Sequence, residues 1–379
     1  MSEPSSSAQA GEPRGWVGPG GIRIRFDLQR INDEATKELA QGIIYRTIRQ
    51  AQQVTELIRR GAKANAMPGL EVLRSTGNHP WLYPLLSLAI DNLTDDSMPS
   101  IWARDSHIDW HHPVALPRWP SREVEAQIMN ALIDAGADMS EVILKETRPI
   151  RVAISGGNRA AFDLLLDRGV QLRGVMAMVL PRDNQHARPS AEYEQLLLYF
   201  YRRLVERDRS LATEADEIEC NLVHEASLAP PSLSKDFIDT YLDLLRANGA
   251  NLTAGNHEGS TPLHMAAHSG FHHGVDYLCC NIGTEFMDAV GSNDDIRNYG
   301  MTTDTPLERA AAELDICLKA LHRGDGDEHH REVLRTETIP NLKTSIRILL
   351  KAGADISRLR THNERDRRIR QLVLSESCG

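Results

Sequence analysis

Along this chain a short apolar run repeatedly ends in two residues of any kind, then Gly, and usually a small residue after it. The phrase appears as ELIRRGAK (56–63), ALIDAGAD (131–138), LLLDRGVQ (164–171), LLRANGAN (244–251), LCCNIGTE (278–285) and ILLKAGAD (348–355). The pattern predicts helix C-termini, each with apolar residues facing a core and a left-handed Gly closing the last turn. A second phrase precedes it as STPLHMAAHSG (260–270), DTPLERAAA (304–312), RPIRVAISGG (148–157), YPLLSLAI (83–90) and, degraded, NLVHEAS (221–227). Here Thr or a substitute caps a helix, and Pro sits in the first turn, where its missing N–H leaves no bond unmade. The small Ala pair lets a neighbouring helix approach. Ser155-Gly156-Gly157 reads as the end of such a first helix.

Spacing turns the two phrases into a repeat. Gly136 to Pro149 and Gly249 to Pro262 are each 13 residues, Pro149 to Gly169 is 20, and Gly136 to Gly169 is 33. A 33-residue period with T-P-L-H-x-A resembles the ankyrin repeat. The resemblance is carried by Thr261, Pro262, Leu263, His264, Ala266, Ala267, Gly270 and the helix-ending Gly283. It implies an all-α fold, an ankyrin-repeat solenoid of about seven helix-pair repeats with β-turn fingers. It covers about residues 35–357 unevenly, with a capping unit at 45–65 and its poorest unit at 174–212. The expected organisation is a disordered segment at 1–21, the repeat array at 22–357 and a basic capping helix or tail at 358–379. IRIRFDL (22–28) alternates apolar and polar residues and reads as a short strand.

Two long insertions fall between the paired helices, at about 92–123 and 320–343. The resemblance implies that both leave from one edge, opposite the fingers. The first holds Trp102, Trp110 and Trp119 with His107, His111 and His112. Clustered large aromatics mark either a binding patch or a satellite core folded over the repeats. The second is polar and is expected to be disordered or helical only at its edges.

Composition narrows the picture. The chain has 379 residues, a net charge of -10 and 5% aromatics, so nothing in the bulk balance asks for nucleic acid or an anionic membrane. Its five Cys (220, 279, 280, 317 and 378) follow no regular spacing, which favours free thiols in a reducing compartment. The first 21 residues lack the apolar core of a signal peptide. These readings predict a monomeric intracellular protein, in the cytoplasm or the nucleus.

Candidate chemistry is sparse. DSHIDWHH (105–112) has the residue types of a metal site but neither Cys nor a helical His pair to set ligand geometry. His272-His273 and His329-His330 are adjacent, and adjacent residues on a helix face apart. His264 has the family's structural role of tying one repeat to the next. Cys279-Cys280 reads as packing within a second helix. No phosphate loop or nucleophile motif is present, so no catalytic residue, cofactor or metal is expected. The basic end, with Arg358, Arg360, Arg365, Arg367, Arg368 and Arg370, reads as a capping helix, or more sharply as nuclear targeting or a site for an acidic partner.

The expected function is a non-catalytic scaffold or adaptor that binds another protein, in the sharper version a transcription co-regulator. Contacts are expected on the fingers, at Asp138, Met139, Ser140 and Glu141, at Asn256, His257 and Glu258, and at Asn298 and Tyr299. The Trp residues 102, 110 and 119 are further candidates. The competing reading is a ligand- or metal-dependent enzyme or sensor built on 92–123.

Overall fold

The computed structural model describes residues 16–17, 23–28, 31–72, 80–95, 97–105, 110–140, 147–176, 189–228, 233–293 and 302–377. The chain divides into two compact units, Met1–Gln171 and Leu172–Gly379.

In the first unit, three helix pairs follow one another: α1 (Glu34–Ile44) with α2 (Ala51–Arg59), α3 (Leu85–Leu88) with α4 (Arg122–Asp134), and α5 (Pro149–Ser155) with α6 (Arg159–Asp167). First helices pack on first helices (α1 on α3, α3 on α5), and second on second (α2 on α4, α4 on α6). No pair can bury its apolar stripe alone, so each layer supplies the core of the next. Asp33, Ser121 and Asn158 cap α1, α4 and α6 with side-chain oxygens that accept backbone N–H groups of the first turn.

This unit also contains a six-stranded sheet, so the all-α expectation is corrected. Its strands are β1 (Trp16–Val17), β2 (Arg23–Asp27), β3 (Gly69–Val72), β4 (Trp81–Leu82), β5 (Trp102–Asp105) and β6 (Trp110–Pro113), in the order β1-β2-β3-β5-β6 with β4 also on β3. The strand read at 22–28 is β2. Ile24, Leu70, Val72 and Ala103 are buried on one face, while Arg25, Glu71 and Arg104 lie in register on the other. The first insertion therefore does not project from the edge opposite the fingers. It returns as the β5–β6 hairpin and pairs in parallel with β3, which lies in the connection between α2 and α3. The Trp102 N–H donates to the Tyr83 hydroxyl at 3.0 Å and fixes that return.

The second unit opens with α7 (Ala191–Arg207), followed by the pairs α8 (Leu222–Ala226) with α9 (Lys235–Ala247) and α10 (Pro262–Ser269) with α11 (His272–Asn281). A third pair is α12 (Pro306–Arg323) with α14 (Ile339–Lys351), led in by α13 (Glu328–Val333). Stacking is again like on like, α8-α10-α12 and α7-α9-α11-α14. The first helix expected for the weakest unit falls largely on 177–188, outside the described residues. Strands β7 (Gly291–Asn293) and β8 (Thr302–Asp304) form a two-stranded finger before α12.

The second insertion is helical throughout 328–338, against expectation. Its polar sequence is held by Asp327 capping α13 and by ion pairs of Arg331 and Arg335 with Glu328. A π-helical turn over Leu334–Thr338 joins α13 to α14. Leu334 and Ile339 are both buried. Five residues apart, they would point about 140° from each other on an α-helix; the wider turn brings them nearer one face. Helix α15 (Glu364–Ser377) packs on α12 and α14 through Ile369 and Val373. Arg360 and Arg368 pair with Glu308 and Asp315 of α12, and Glu376 takes Lys343 and Arg347 of α14. Much of the basic run is thus engaged within the unit.

Five of the six helix-ending glycines are left-handed: Gly61, Gly136, Gly169, Gly249 and Gly353 have φ between 81° and 102°. Gly283 is the exception and corrects the expectation. Helix α11 ends at Asn281 on an extended Ile282, and Gly283 follows at φ -69°, opening a 3-10 turn. The nearest atoms a Cβ there would meet are the carboxylate end of Glu285. Gly283→Ala is therefore predicted to change unfolding free energy by less than about 0.5 kcal/mol. Gly249→Ala, forced to φ +101°, is predicted to cost about 1–2 kcal/mol. Urea unfolding of both variants checks the contrast, and an equal loss contradicts it.

Candidate interaction surface

Two fingers of the second unit are built by turns with the same bonding pattern, 40 residues apart. In the first, the Asp216 carboxylate accepts the N–H groups of Ile218 (3.0 Å) and Cys220 (2.8 Å), and the Asp216 N–H donates to the Cys220 carbonyl. In the second, the Asn256 side-chain oxygen accepts from Glu258 (3.1 Å) and Ser260 (2.9 Å), and the Asn256 N–H donates to the Ser260 carbonyl. Glu219 takes a left-handed φ of 63° where the second turn has Gly259 at 72°. Asn221 replaces Thr261 as the helix cap that follows.

A histidine then joins each turn to the next. His224 Nδ1 accepts the Asn221 N–H at 3.1 Å, so Nε2 carries the proton and donates to the Ser260 carbonyl at 3.0 Å. His264 repeats this, accepting from the Thr261 N–H at 3.1 Å and donating to the Asp304 carbonyl at 3.2 Å. Burial keeps both rings neutral and pushes His264 down to about 4, with the nearby Arg309 guanidinium adding to the effect. Arg309 pairs with Asp304 and donates to the Ser260 hydroxyl, closing the same joint. His264 thus has the tying position expected from the sequence, and His224, hidden in the degraded phrase, matches it.

The finger residues differ in exposure. His257 is exposed, and its N–H donates to the Ile218 carbonyl at 3.1 Å. Glu258 is half-buried, whereas Asn256 is buried inside its turn, which corrects its reading as an exposed contact. In the first unit Asp138 is exposed, and Met139 and Ser140 are half-buried. The Asp138 N–H donates to the Asn65 side chain and the Gln171 N–H to the Ser140 hydroxyl, so neighbouring connections brace each other. Glu141, Asn298 and Tyr299 lie outside the described residues. Ile218 and Val290, which no phrase in the sequence marks, are large apolar side chains 47% and 57% exposed on the connections either side of the one that carries His257. Ile218 is followed by Glu where a finger turn ordinarily carries Gly, and this masked the homology.

The Trp-rich segment is divided. Trp102 is half-buried on β5, and the side chain of Trp110 lies outside the described residues, as does His107. Trp119 is a core residue, which removes it from the contact candidates. Its indole N–H donates to the Ala89 carbonyl at 2.6 Å, and Arg46 lies over its ring at 4.4 Å. Around it is a buried ionic cluster. Asp91, fully buried, pairs with Arg46 (3.1 Å) and Arg122 (2.8 Å) and accepts the Trp119 backbone N–H at 2.9 Å. Glu125 accepts from the Asp91 N–H, from Asn158 and from Arg122. Burial raises the Glu125 carboxyl and lowers the Arg46 guanidinium. The charges balance, two acids against two bases, and hold the end of α1, the end of α3, the returning insertion, α4 and the cap of α6 together.

Among the described residues no group of three or more His, Cys, Asp or Glu is placed to hold a metal ion, and no helix is long and apolar enough to cross a membrane. Burial pushes the thiols of Cys279 and Cys317 up to about 12 and raises that of Cys220, which leaves them protonated and unreactive at neutral pH.

The helix pairs stacked like on like, with turn fingers pinned by capping histidines, define a helical repeat protein. Residues 258–290 match the family model of the ankyrin repeat, so the chain contains an ankyrin repeat. Among solved structures it is similar to the crystal structure of Legionella pneumophila effector AnkC, at 15% identity over 93% of this chain and 88% of that one, with a TM-score of 0.34. No curated protein matches significantly.

Proposed function

We propose that the chain is a non-catalytic binding module that takes a protein partner along the finger edge of its second unit. Ankyrin repeats in general mediate protein–protein interaction. The observation that carries the assignment to this edge is the exposure of Ile218 and Val290 on either side of the exposed His257. Rigid exposed apolar side chains on a pre-formed frame supply binding energy at little ordering cost. The turns beneath them are fixed by the Asp216, Asn256 and histidine bonds. As an adaptor the chain would join this partner to a second one, and the co-regulator role is the case in which that second partner sits on DNA. The first unit, with its own sheet and the half-buried Trp102, offers a separate surface for it.

The test is affinity capture with the intact chain and with an Ile218→Asp/Val290→Asp double variant. Both positions are exposed, so the circular dichroism melt should not change. The partner recovered should fall at least about tenfold, the loss expected on removing about 1.4 kcal/mol of contact energy. Equal recovery by the folded variant would remove the finger edge from the account.

A further inference from the structure

Charge is segregated within the second unit. No Lys or Arg occurs between Arg209 and Lys235, and none between Arg246 and Arg297. These two stretches contain both finger turns, α8, α10, α11 and Val290. The acids in and beside the two finger turns are Glu214, Asp216, Glu217, Glu219 and Glu258. Asp216, Glu217 and Glu219 are all exposed and enclose Ile218 in the chain. The bases nearest in sequence stand elsewhere: Lys235 pairs with Asp239 and Asp276 on the second-helix layer, and Arg246 donates to Asn281 there. Arg309, on α12, is buried in its pair with Asp304.

We infer that the partner segment held at this edge is basic and carries two apolar anchors, one over Ile218 and one over Val290. This rests on the finger edge being the binding surface. A field of one sign on exposed side chains attracts a segment of the opposite sign and repels acidic ones, which sets selectivity and the rate of encounter. Ile218 lies within that field and Val290 at its margin, two residues beyond Asp288, which pairs with the exposed Arg358; the two apolar points then fix register. Ile218 and Val290 stand two repeat layers apart. At about 10 Å per packed layer that is roughly 20 Å, and extended chain covers it in about six residues. The inferred motif is therefore an apolar residue, about five residues rich in Lys or Arg, and a second apolar residue.

The experiment uses the intact chain and three synthetic heptapeptides, read by fluorescence anisotropy at low and at physiological salt. The first has leucine at both ends and five lysines between, the second replaces the lysines with glutamates, and the third replaces the leucines with serines. The lysine–leucine peptide should bind, and raising salt should weaken it. The serine-ended peptide should bind about tenfold more weakly, and the glutamate peptide should not bind. Glu217→Lys/Glu219→Lys should weaken the first peptide at least tenfold, and Ile218→Ser should reduce its advantage over the serine-ended one. Equal binding of the lysine and glutamate peptides, or no binding of either at millimolar concentration, would overturn the inference. Capture that still depends on Ile218 and Val290 would then leave the finger edge standing without its basic partner. Light scattering on the same samples covers the remaining occupant, a second copy presenting Arg367, Arg370 and the exposed Leu374 of α15. Self-association abolished by Glu217→Lys would assign the site to that copy and overturn the inference.

Discussion

Asp91→Ala is predicted to destabilise the first unit by about 3–5 kcal/mol, the usual loss when one partner of a buried ion pair is removed. The carboxylate is fully buried and is shared by Arg46, Arg122 and the Trp119 N–H. Without it Arg46, whose side chain is 2% exposed, keeps the Ile43 and Leu88 carbonyls and the Trp119 ring but loses its hydrogen-bonded countercharge, and Glu125 is left as the nearby acid. Arg122 is 36% exposed on its side chain, so Arg122→Ala should cost far less, about 1 kcal/mol. The pair as a whole is less valuable than either half. Arg46→Met/Asp91→Leu should recover most of the loss, because apolar side chains of similar volume can replace a buried ion pair. Urea unfolding followed by tryptophan fluorescence reads all three variants. An Asp91→Ala curve that overlays wild type would show that the cluster is spanned by solvent and does not bind the insertion to the helices.

The second large effect is loss of stability in acid through the finger joints. His264 is neutral in the fold, with its pKa moved from 6.5 to about 4, while the unfolded chain titrates near the ordinary value. Between those limits the unfolded state binds more protons, so the contribution is complete above about pH 6.5, falls as pH drops, and is exhausted near pH 4. The magnitude is roughly 3 kcal/mol. His224 is lowered in the same direction by burial and adds to it. Protonation places a donor on Nδ1 facing the Thr261 N–H and so removes that bond of the helix cap, while Nε2 still donates to the Asp304 carbonyl. Groups with raised carboxyl pKa values, Glu125 and Glu308, act in the opposite sense and gain as pH falls. The advantage of wild type over His264→Gln isolates the histidine. It should shrink by roughly 3 kcal/mol between pH 7 and pH 4, and an advantage independent of pH contradicts the neutral clamp.

Local chain chemistry made the helix ends readable. A left-handed Gly and a first-turn Pro are dictated by a few neighbouring residues, so Gly61, Gly136, Gly169, Gly249 and Gly353 could be placed from their phrases alone. Gly283 broke the rule because Ile282 takes an extended conformation and the chain leaves through a 3-10 turn, a choice no flanking residue announces. The sheet was mostly invisible. Its strands have two to five residues, and their pairing joins segments far apart in sequence. In β3 every residue is buried, so the polar–apolar alternation that betrays a strand is absent. The ionic cluster was invisible for another reason. Arg46, Asp91, Arg122 and Glu125 are spread over 80 positions, and an isolated charge in a sequence reads as a solvated one. At the finger edge, Glu219 in place of Gly and Asn221 in place of Thr hid a turn that bonds like its successor. No phrase in the sequence therefore marks Ile218, whereas the intact second turn marks Asn256, which is buried.

Hydrogen exchange on the intact chain, free and with its captured partner, is the most direct test of the finger edge as the binding surface. Binding there should slow exchange at 215–220 and 255–260 and leave the second helices α9 and α14 unchanged. Protection confined to the β5–β6 hairpin or to those second helices, with the two finger turns unaffected, would contradict it.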